Sequence, residues 1–267
     1  MHQKQKYIKL KTFDLNNQAQ YLNIILNRPE KRNALNPQMI SEIISAFDEH
    51  EKLKKTKLIL ISSSSSVFCA GADLQYLKKL QNYSYQENLN DSYHLMSLYK
   101  KMLKYPKLII SKVCGPAIAG GCGLINASDL VFATKNSKFS YPEVKLGFIP
   151  ALVSTFLLTK IKGSDARELL LTGKLIDAIY AEKIGLINKI CELENIDNEI
   201  IKFIEKIVKE TSLNSVKETK EMLYQLMDLD KKLEKAAKLN AKSRESEDFT
   251  KGITNFLVKN KINWAKQ

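Results

Sequence analysis

"AIAGGCGL", residues 117–124, carries three glycines in eight positions and no charge, hydroxyl or aromatic ring. Glycine costs a helix interior roughly 1 kcal/mol relative to alanine, so two adjacent glycines answer to something other than helix propensity. Close approach of a ligand to bare backbone is such a reason. A second stretch, "VFCAGADL" (67–74), reads as a strand end, a glycine turn and a helix whose first turn holds Asp73, a residue suited to the positive end of a helix. Both stretches put small residues where a helix begins, which leaves backbone N–H groups unpaired and sterically open. Two such termini facing one point would form an oxyanion hole.

Around these stretches the chain alternates. Strand-like runs occur at "YIKL" (7–10), "YLNIIL" (21–26), "KLILIS" (57–62), "KLIISKV" (107–113), "DLVFA" (129–133) and "LINKI" (186–190). Asn36 followed by Pro37 predicts a capped helix to about Lys52, and a longer helical pattern runs from about Tyr85 to Lys104. This alternation predicts an α/β architecture with buried central strands and helices outside. From about residue 197 only helical patterns follow, at 197–210, 213–227, 229–244 and 247–260, so the chain divides softly into 1–195 and 196–267. "SSSSS" (62–66) reads as a flexible turn after a strand.

Composition narrows the function classes. Hydrophobic residues make up 44% of the 267 residues and charged residues 27%, a balance that supports a sizeable core. The four cysteines, Cys69, Cys114, Cys122 and Cys191, show no paired or zinc-type spacing; they read as reduced thiols of a cytoplasmic protein, and no metal is implied. His2, His50 and His94 lie far apart in sequence. The basic start lacks an apolar core, so a secretory signal is not expected and the mature chain is expected to begin near Met1. The uncharged runs 113–128 and 146–159 are too short to span a bilayer. A net charge of +13 favours anionic partners, yet the lysines are scattered over nearly every helix face, which argues against a nucleic-acid groove.

Six segments, in order, resemble the crotonase family of enoyl-CoA hydratases and isomerases: "LNRPEKRNALN" (26–36), "FCAGADL" (68–74), "GPAIAGGCGL" (115–124), "FSYPEVKLGFIP" (139–150), "ARELLLTGKLIDAIYAEKIGLIN" (166–188) and "GITNFLVK" (252–259). The resemblance covers nearly the whole chain. It implies a spiral of ββα units followed by an all-helical trimerisation region, and an acyl-CoA substrate with no separate cofactor. It also implies that the backbone N–H groups of Ala72 and Gly120 hold the thioester oxygen. Lys31, Arg32 and Ala34 are implied near the nucleotide end of CoA, Ala70, Asp73 and Leu74 beside the thioester turn, and Phe256 and Lys259 at a CoA contact near the trimer region.

Hydratases of this family generally use two glutamates. The second corresponds to Glu143; at the position of the first stands Gly123. Partial burial of Glu143 would raise its pKa toward neutrality and suit it to proton exchange. Gly123 is either a helix-packing glycine or room for a bulky acyl group, and a methyl group there is expected to be far milder than a side chain at Gly120. Hydration then needs Glu143 to perform both proton tasks, or a further polar residue, sought in the Tyr76–His94 segment, to position water. "ALVSTFLL" (151–158), an apolar helix start, replaces the family's glycine-rich continuation. The expected activity is an enoyl-CoA hydratase or dehydratase, with a branched ester such as methylglutaconyl-CoA as a candidate substrate. A Δ3-Δ2-enoyl-CoA isomerase, which needs one carboxylate, is the alternative, and a non-enzymatic nucleic-acid binder a remoter one. "SLYK" (97–100) matches the S-x-x-K nucleophile pattern, but its companion motifs are absent.

Overall fold

The computed structural model describes residues 6–16 and 19–266; His2 and the start of the chain lie outside the described residues. In chain order the elements are β1 (Ile8–Asn16), β2 (Ala19–Leu26), α1 (Pro37–Glu51), β3 (Thr56–Ser63), α2 (Leu74–Leu80), α3 (Tyr85–Lys104), β4 (Leu108–Val113), β5 (Ala117–Ile118) and α4 (Gly120–Ala127). They continue with β6 (Leu130–Thr134), β7 (Lys138–Ser140), α5 (Ala151–Lys160), α6 (Gly163–Thr172), β8 (Ile176–Asp177), α7 (Ala178–Lys183), β9 (Lys189–Cys191), α8 (Ile196–Glu210), α9 (Leu213–Leu226), α10 (Leu229–Ser243) and α11 (Glu247–Leu257).

All six predicted strands fall in one sheet, of order β1-β2-β3-β4-β6-β9, in which only the β1–β2 pair is antiparallel. Both faces of this sheet are covered, as near-continuous apolar runs such as "KLILIS" require. On one face α1 lays down Met39, Ile40, Ile43, Ala46 and Phe47; its start is fixed by Pro37 and by the Asn36 side chain, which accepts the Met39 N–H. On the other face α8 packs Ile196, Ile200 and Ile204 against Tyr21, Leu58, Leu60, Ile110 and Phe132. The helix α3 opens with a capping box of Ser84 and Glu87. Its partner α10 sends Leu229, Leu233, Ala236 and Ala237 into the main core.

A second, narrower stack of strand pairings carries the site. Isolated parallel bridges join Leu35 to Ala72 and Cys69 to Ala117, β5 pairs in parallel with β7, and β7 pairs antiparallel with β8. Each turn of the chain thus supplies a long strand to the large sheet, a short one to the small stack, and a helix. Adjacent rungs of the small stack hold the 69–72 and 117–120 segments side by side.

The serine run is not the flexible turn that its composition suggests. Asn33 is fully buried; its side-chain amide donates to Ser63 Oγ at 2.8 Å and to the carbonyls of Val67 and Phe68 at 3.0 and 3.1 Å, while its carbonyl oxygen accepts the Arg28 N–H at 2.8 Å. Ser63 Oγ and Ser65 Oγ in turn donate to Val67 O. Low complexity hid a hydrogen-bonded turn that ties the "RPEKRNA" loop to the strand leading toward Ala72. Among the described residues no helix is long and apolar enough to cross a membrane, no cluster of metal-ligating side chains occurs, and all four cysteines are free.

Candidate active site

Adjacent rungs bring the two predicted donors together, and glycine is what lets them approach. A Cβ on Gly121 would lie 2.3 Å from the Cys69 carbonyl oxygen, and one on Gly71 would lie 2.9 Å from Ala119 Cβ and 3.6 Å from Gly120 N. Gly71 also has φ +90°, a conformation that L side chains rarely adopt. The Leu35–Ala72 bridge uses the Leu35 N–H on Gly71 O at 2.6 Å and the Asp73 N–H on Leu35 O at 2.9 Å, so the N–H of Ala72 between them points away from this pairing. Gly120 opens α4, where a first-turn N–H has no intrahelical acceptor. Among the described residues neither the Ala72 nor the Gly120 N–H has a hydrogen-bond partner. Ala119, just before the helix, takes φ +50° and ψ −117°, a strained conformation held by its N–H bond to Ser140 O at 2.9 Å.

At the far end of α4, the Lys160 ammonium of α5 donates to Ile125 O at 3.1 Å and Ser128 O at 3.3 Å; burial lowers its pKa to about 8. A cation at the C-terminal end complements the dipole of this eight-residue helix while the open N–H groups are left at its N-terminal end.

Ala72, Gly120 and Glu143 line one cavity with about 690 Å³ of empty space, mouth included; its walls are largely apolar, with Leu35, Leu77, Leu95, Phe148 and Leu152 among them. Glu143 sits in the 3₁₀ turn Pro142–Leu146 that Gly147 ends. It is 5% exposed, and its Oε2 has no hydrogen-bond partner. Burial raises its pKa to about 7. Such a carboxyl holds or releases a proton near neutrality, beside two N–H groups that can receive negative charge on an oxygen.

The remaining predicted positions scatter. Asp73 is buried and turned inward: its carboxylate accepts the Tyr76 N–H at 3.0 Å as the N-cap of α2 and meets Arg28 Nη2 at 2.7 Å. Burial opposes its ionisation, but these two partners hold its pKa below the ordinary value. The Asp73 carboxylate is a brace that fixes the Ala72 turn, and Arg28, unremarked in the sequence, is its other half. Ala34 is buried, with its carbonyl bound by Arg28 Nη1, and Ala70 donates its N–H to Arg32 O. Arg32 and Leu74 are exposed and Lys31 is half-buried. Phe256 and Lys259, at and just beyond the C-terminal end of α11, are exposed and outside the cavity of their own chain.

At Gly123 the expectation of acyl space is corrected. It does not line the cavity. A Cβ there would sit 2.2 Å from Tyr99 Oη and 2.4 Å from its Cζ, so the space expected for an acyl group is filled by a phenol ring from α3. The expected water-positioning segment, Tyr76–His94, contributes Tyr76 and Asp91 to the cavity, but Tyr76 donates to Asp91 Oδ1 at 2.6 Å, and Asp91 Oδ2 binds Arg244 Nη1 at 2.6 Å. Arg244 also lines the cavity, and its buried Nε has no partner among the described residues.

Two unpaired N–H groups facing an apolar cavity with one buried, proton-exchanging carboxyl form a site able to stabilise an enolate-like charge. Residues 16–267 match the family described as enoyl-CoA hydratase/isomerase. A relative from Thermus thermophilus is 37% identical over 238 residues, 88% of this chain and 94% of its own length. A Pongo abelii protein named "Enoyl-CoA hydratase, mitochondrial" is 32% identical over 91% of this chain and 83% of its own. The crystal structure of an enoyl-CoA hydratase from Shewanella pealeana superposes with a TM-score of 0.78 at 29% identity, covering 98% of this chain and 97% of that one. The chain belongs to the enoyl-CoA hydratase/isomerase, or crotonase, family and is an enzyme of that family.

Two consequences are measurable. A methyl group at Gly123 collides with a packed ring, whereas one at Gly120 meets only Leu35 Cδ1 at 3.2 Å and Tyr99 Oη at 3.4 Å. In thermal or urea unfolding Gly123→Ala is expected to lose about 1–3 kcal/mol, and Gly120→Ala less than about 1 kcal/mol; the reverse order would contradict the packing described. For Glu143, the folded pKa of about 7 stands above its reference value of 4.5, so its penalty for folding is absent below pH 4.5 and accumulates as pH rises toward 7. Glu143→Gln is expected to gain stability over the parent as pH goes from 4 to 8, by up to about 3 kcal/mol. A pH-independent difference would show that the carboxyl is not held in a dry site.

Proposed function

We propose that this enzyme is an enoyl-CoA hydratase/dehydratase that holds the thioester oxygen of its substrate on the N–H groups of Ala72 and Gly120 and uses Glu143 for proton transfer. The pairing of those open donors with the unpartnered Glu143 Oε2 in one cavity carries the reading. In hydration, Glu143 as carboxylate takes a proton from water while the water oxygen bonds to C3; electrons move through C2 to the thioester oxygen as an enolate. The same carboxyl then gives its proton to C2 and the thioester carbonyl re-forms, so that one water is added and the enzyme is unchanged. Each donor on the developing oxyanion contributes about 2.7–4 kcal/mol in comparable sites.

The Thermus and Pongo relatives' similarity supports the reading at the level of the family, and the second supports hydration by its name. Isomerisation of a 3-enoyl ester is the second reading, favoured by the absence of a carboxylate at position 123. For the acyl group, a branched ester with a polar end, such as methylglutaconyl-CoA, is supported by Arg244 and Asp91 at the cavity wall, where the free Nε of Arg244 offers a donor. A homotrimer, or a dimer of trimers, is the proposed assembly; exposed Leu226 and Phe256 on the C-terminal helices, with Val258 just past α11, are apolar surface for it to cover.

Product analysis with matched 2-enoyl-CoA, 3-enoyl-CoA and 3-methylglutaconyl-CoA esters tests this reading. The expected result is net hydration of a 2-enoyl ester, with Glu143→Gln keeping ester affinity and losing roughly 10²–10⁴ in turnover. Double-bond migration without hydration would establish the second reading, and near-parental turnover by Glu143→Gln would remove Glu143 from the chemistry.

A further inference from the structure

The position from which a second carboxylate would act is vacant in sequence but occupied in space. Gly123 has no side chain, and Tyr99, reaching in from α3, puts its Oη 2.2 Å from the point where a Cβ at 123 would stand. Neither residue is compatible with a side chain at the other's place: a glutamate at 123 would run through the ring, and the ring needs glycine at 123. The phenol is completely buried and is braced by an edge contact with Phe156, ring centroids 5.3 Å apart. It lines the same cavity as Ala72, Gly120 and Glu143, about two turns of α3 having brought Asp91, Leu95 and Tyr99 to one face at four-residue spacing.

Its hydrogen bonding is half used. Tyr99 Oη donates to Gly120 O at 3.0 Å, and a phenol has two lone pairs that this donation leaves free. Burial above all, with the Cys69, Glu143 and Cys122 groups adding to it, raises its pKa well above the ordinary phenol value, so the hydroxyl stays protonated. A protonated phenol tied to Gly120 O can accept but has no further proton to give, and Glu143 Oε2 likewise lacks a donor.

We infer that Tyr99 is the water-positioning residue of this site, its Oη accepting one hydrogen of the nucleophilic water while Glu143 accepts the other. The role rests on the hydration reading above. One water hydrogen goes to each acceptor, which turns an oxygen lone pair toward C3; Glu143 takes its hydrogen as a proton, and Tyr99 neither gains nor loses one. The bond to Gly120 O couples the water to the helix turn whose N–H receives the thioester oxygen, so nucleophile and oxyanion are referenced to one piece of backbone.

Tyr99→Phe keeps the ring and removes only the hydroxyl. Its hydration kcat is expected to fall about tenfold to a hundredfold, with KM for the 2-enoyl ester within about twofold of the parent. Parental kcat, or a loss confined to KM, would show that Tyr99 only packs against α4 and would overturn the role. A second variant supplies a rescue: Tyr99→Ala with Gly123→Glu vacates the ring and restores a carboxylate, and is expected to hydrate at least about tenfold faster than Tyr99→Ala alone when circular dichroism shows both folded. Folded proteins of equal rate would overturn the inference. The unsubstituted enzyme is assayed first with 2-enoyl and 3-enoyl esters; isomerisation without hydration would defeat the hydration reading itself, and this role with it.

Discussion

Two backbone segments from different turns of the spiral touch without intervening side chains, and the site follows from that contact. Gly71 and Gly121 make it possible, since a Cβ on either would collide with the opposing strand or its carbonyl. The Cys69–Ala117 bridge sets the register, so Ala72 and Gly120 come out adjacent with their N–H groups unspent. Unpaired backbone donors are costly when buried dry. Here they stand at the wall of an open cavity, where an oxygen can reach them.

The surroundings hold that contact rigid. Arg28 and Asp73 fasten one side, Asn33 locks the loop before it, and Lys160 binds the far carbonyls of α4 on the other. A buried pair such as Arg28 and Asp73 adds little net stability, but removing one partner strands the other, so the pair enforces a single arrangement. The same apolar enclosure that desolvates Glu143 makes its proton exchangeable near neutrality, so the cavity wall and the carboxyl's acidity have one cause.

Strand and helix periodicity made most of the architecture legible. Five strands of the large sheet run for five to nine residues, enough to show an apolar run, and three-residue β9 lies within the longer stretch 186–190; α1 is announced by Asn36-Pro37 and α3 by its helical pattern. The short strands β5, β7 and β8 have two or three residues each, too few for any period, and they are the ones that build the site. Composition misread 62–66, because serine hydroxyls satisfied by Asn33 look the same in sequence as serines facing water. The motif match named Ala72, Gly120 and Glu143, which the fold gathers around one cavity. It did not say where side chains point: Asp73 turns inward, and the room beside Gly123 belongs to Tyr99. That last fact joins residues 24 positions apart on different helices, and no local pattern encodes it; the three-residue surroundings of Tyr99 suggested only a chance S-x-x-K match.

A crystal structure with a non-reactive acyl-CoA thioester would show where the substrate oxygen sits. The thioester oxygen is expected about 2.7–3.1 Å from both the Ala72 and Gly120 nitrogens, with C2 and C3 facing Glu143. A thioester bound elsewhere, or one whose oxygen leaves both N–H groups to water, would contradict that placement.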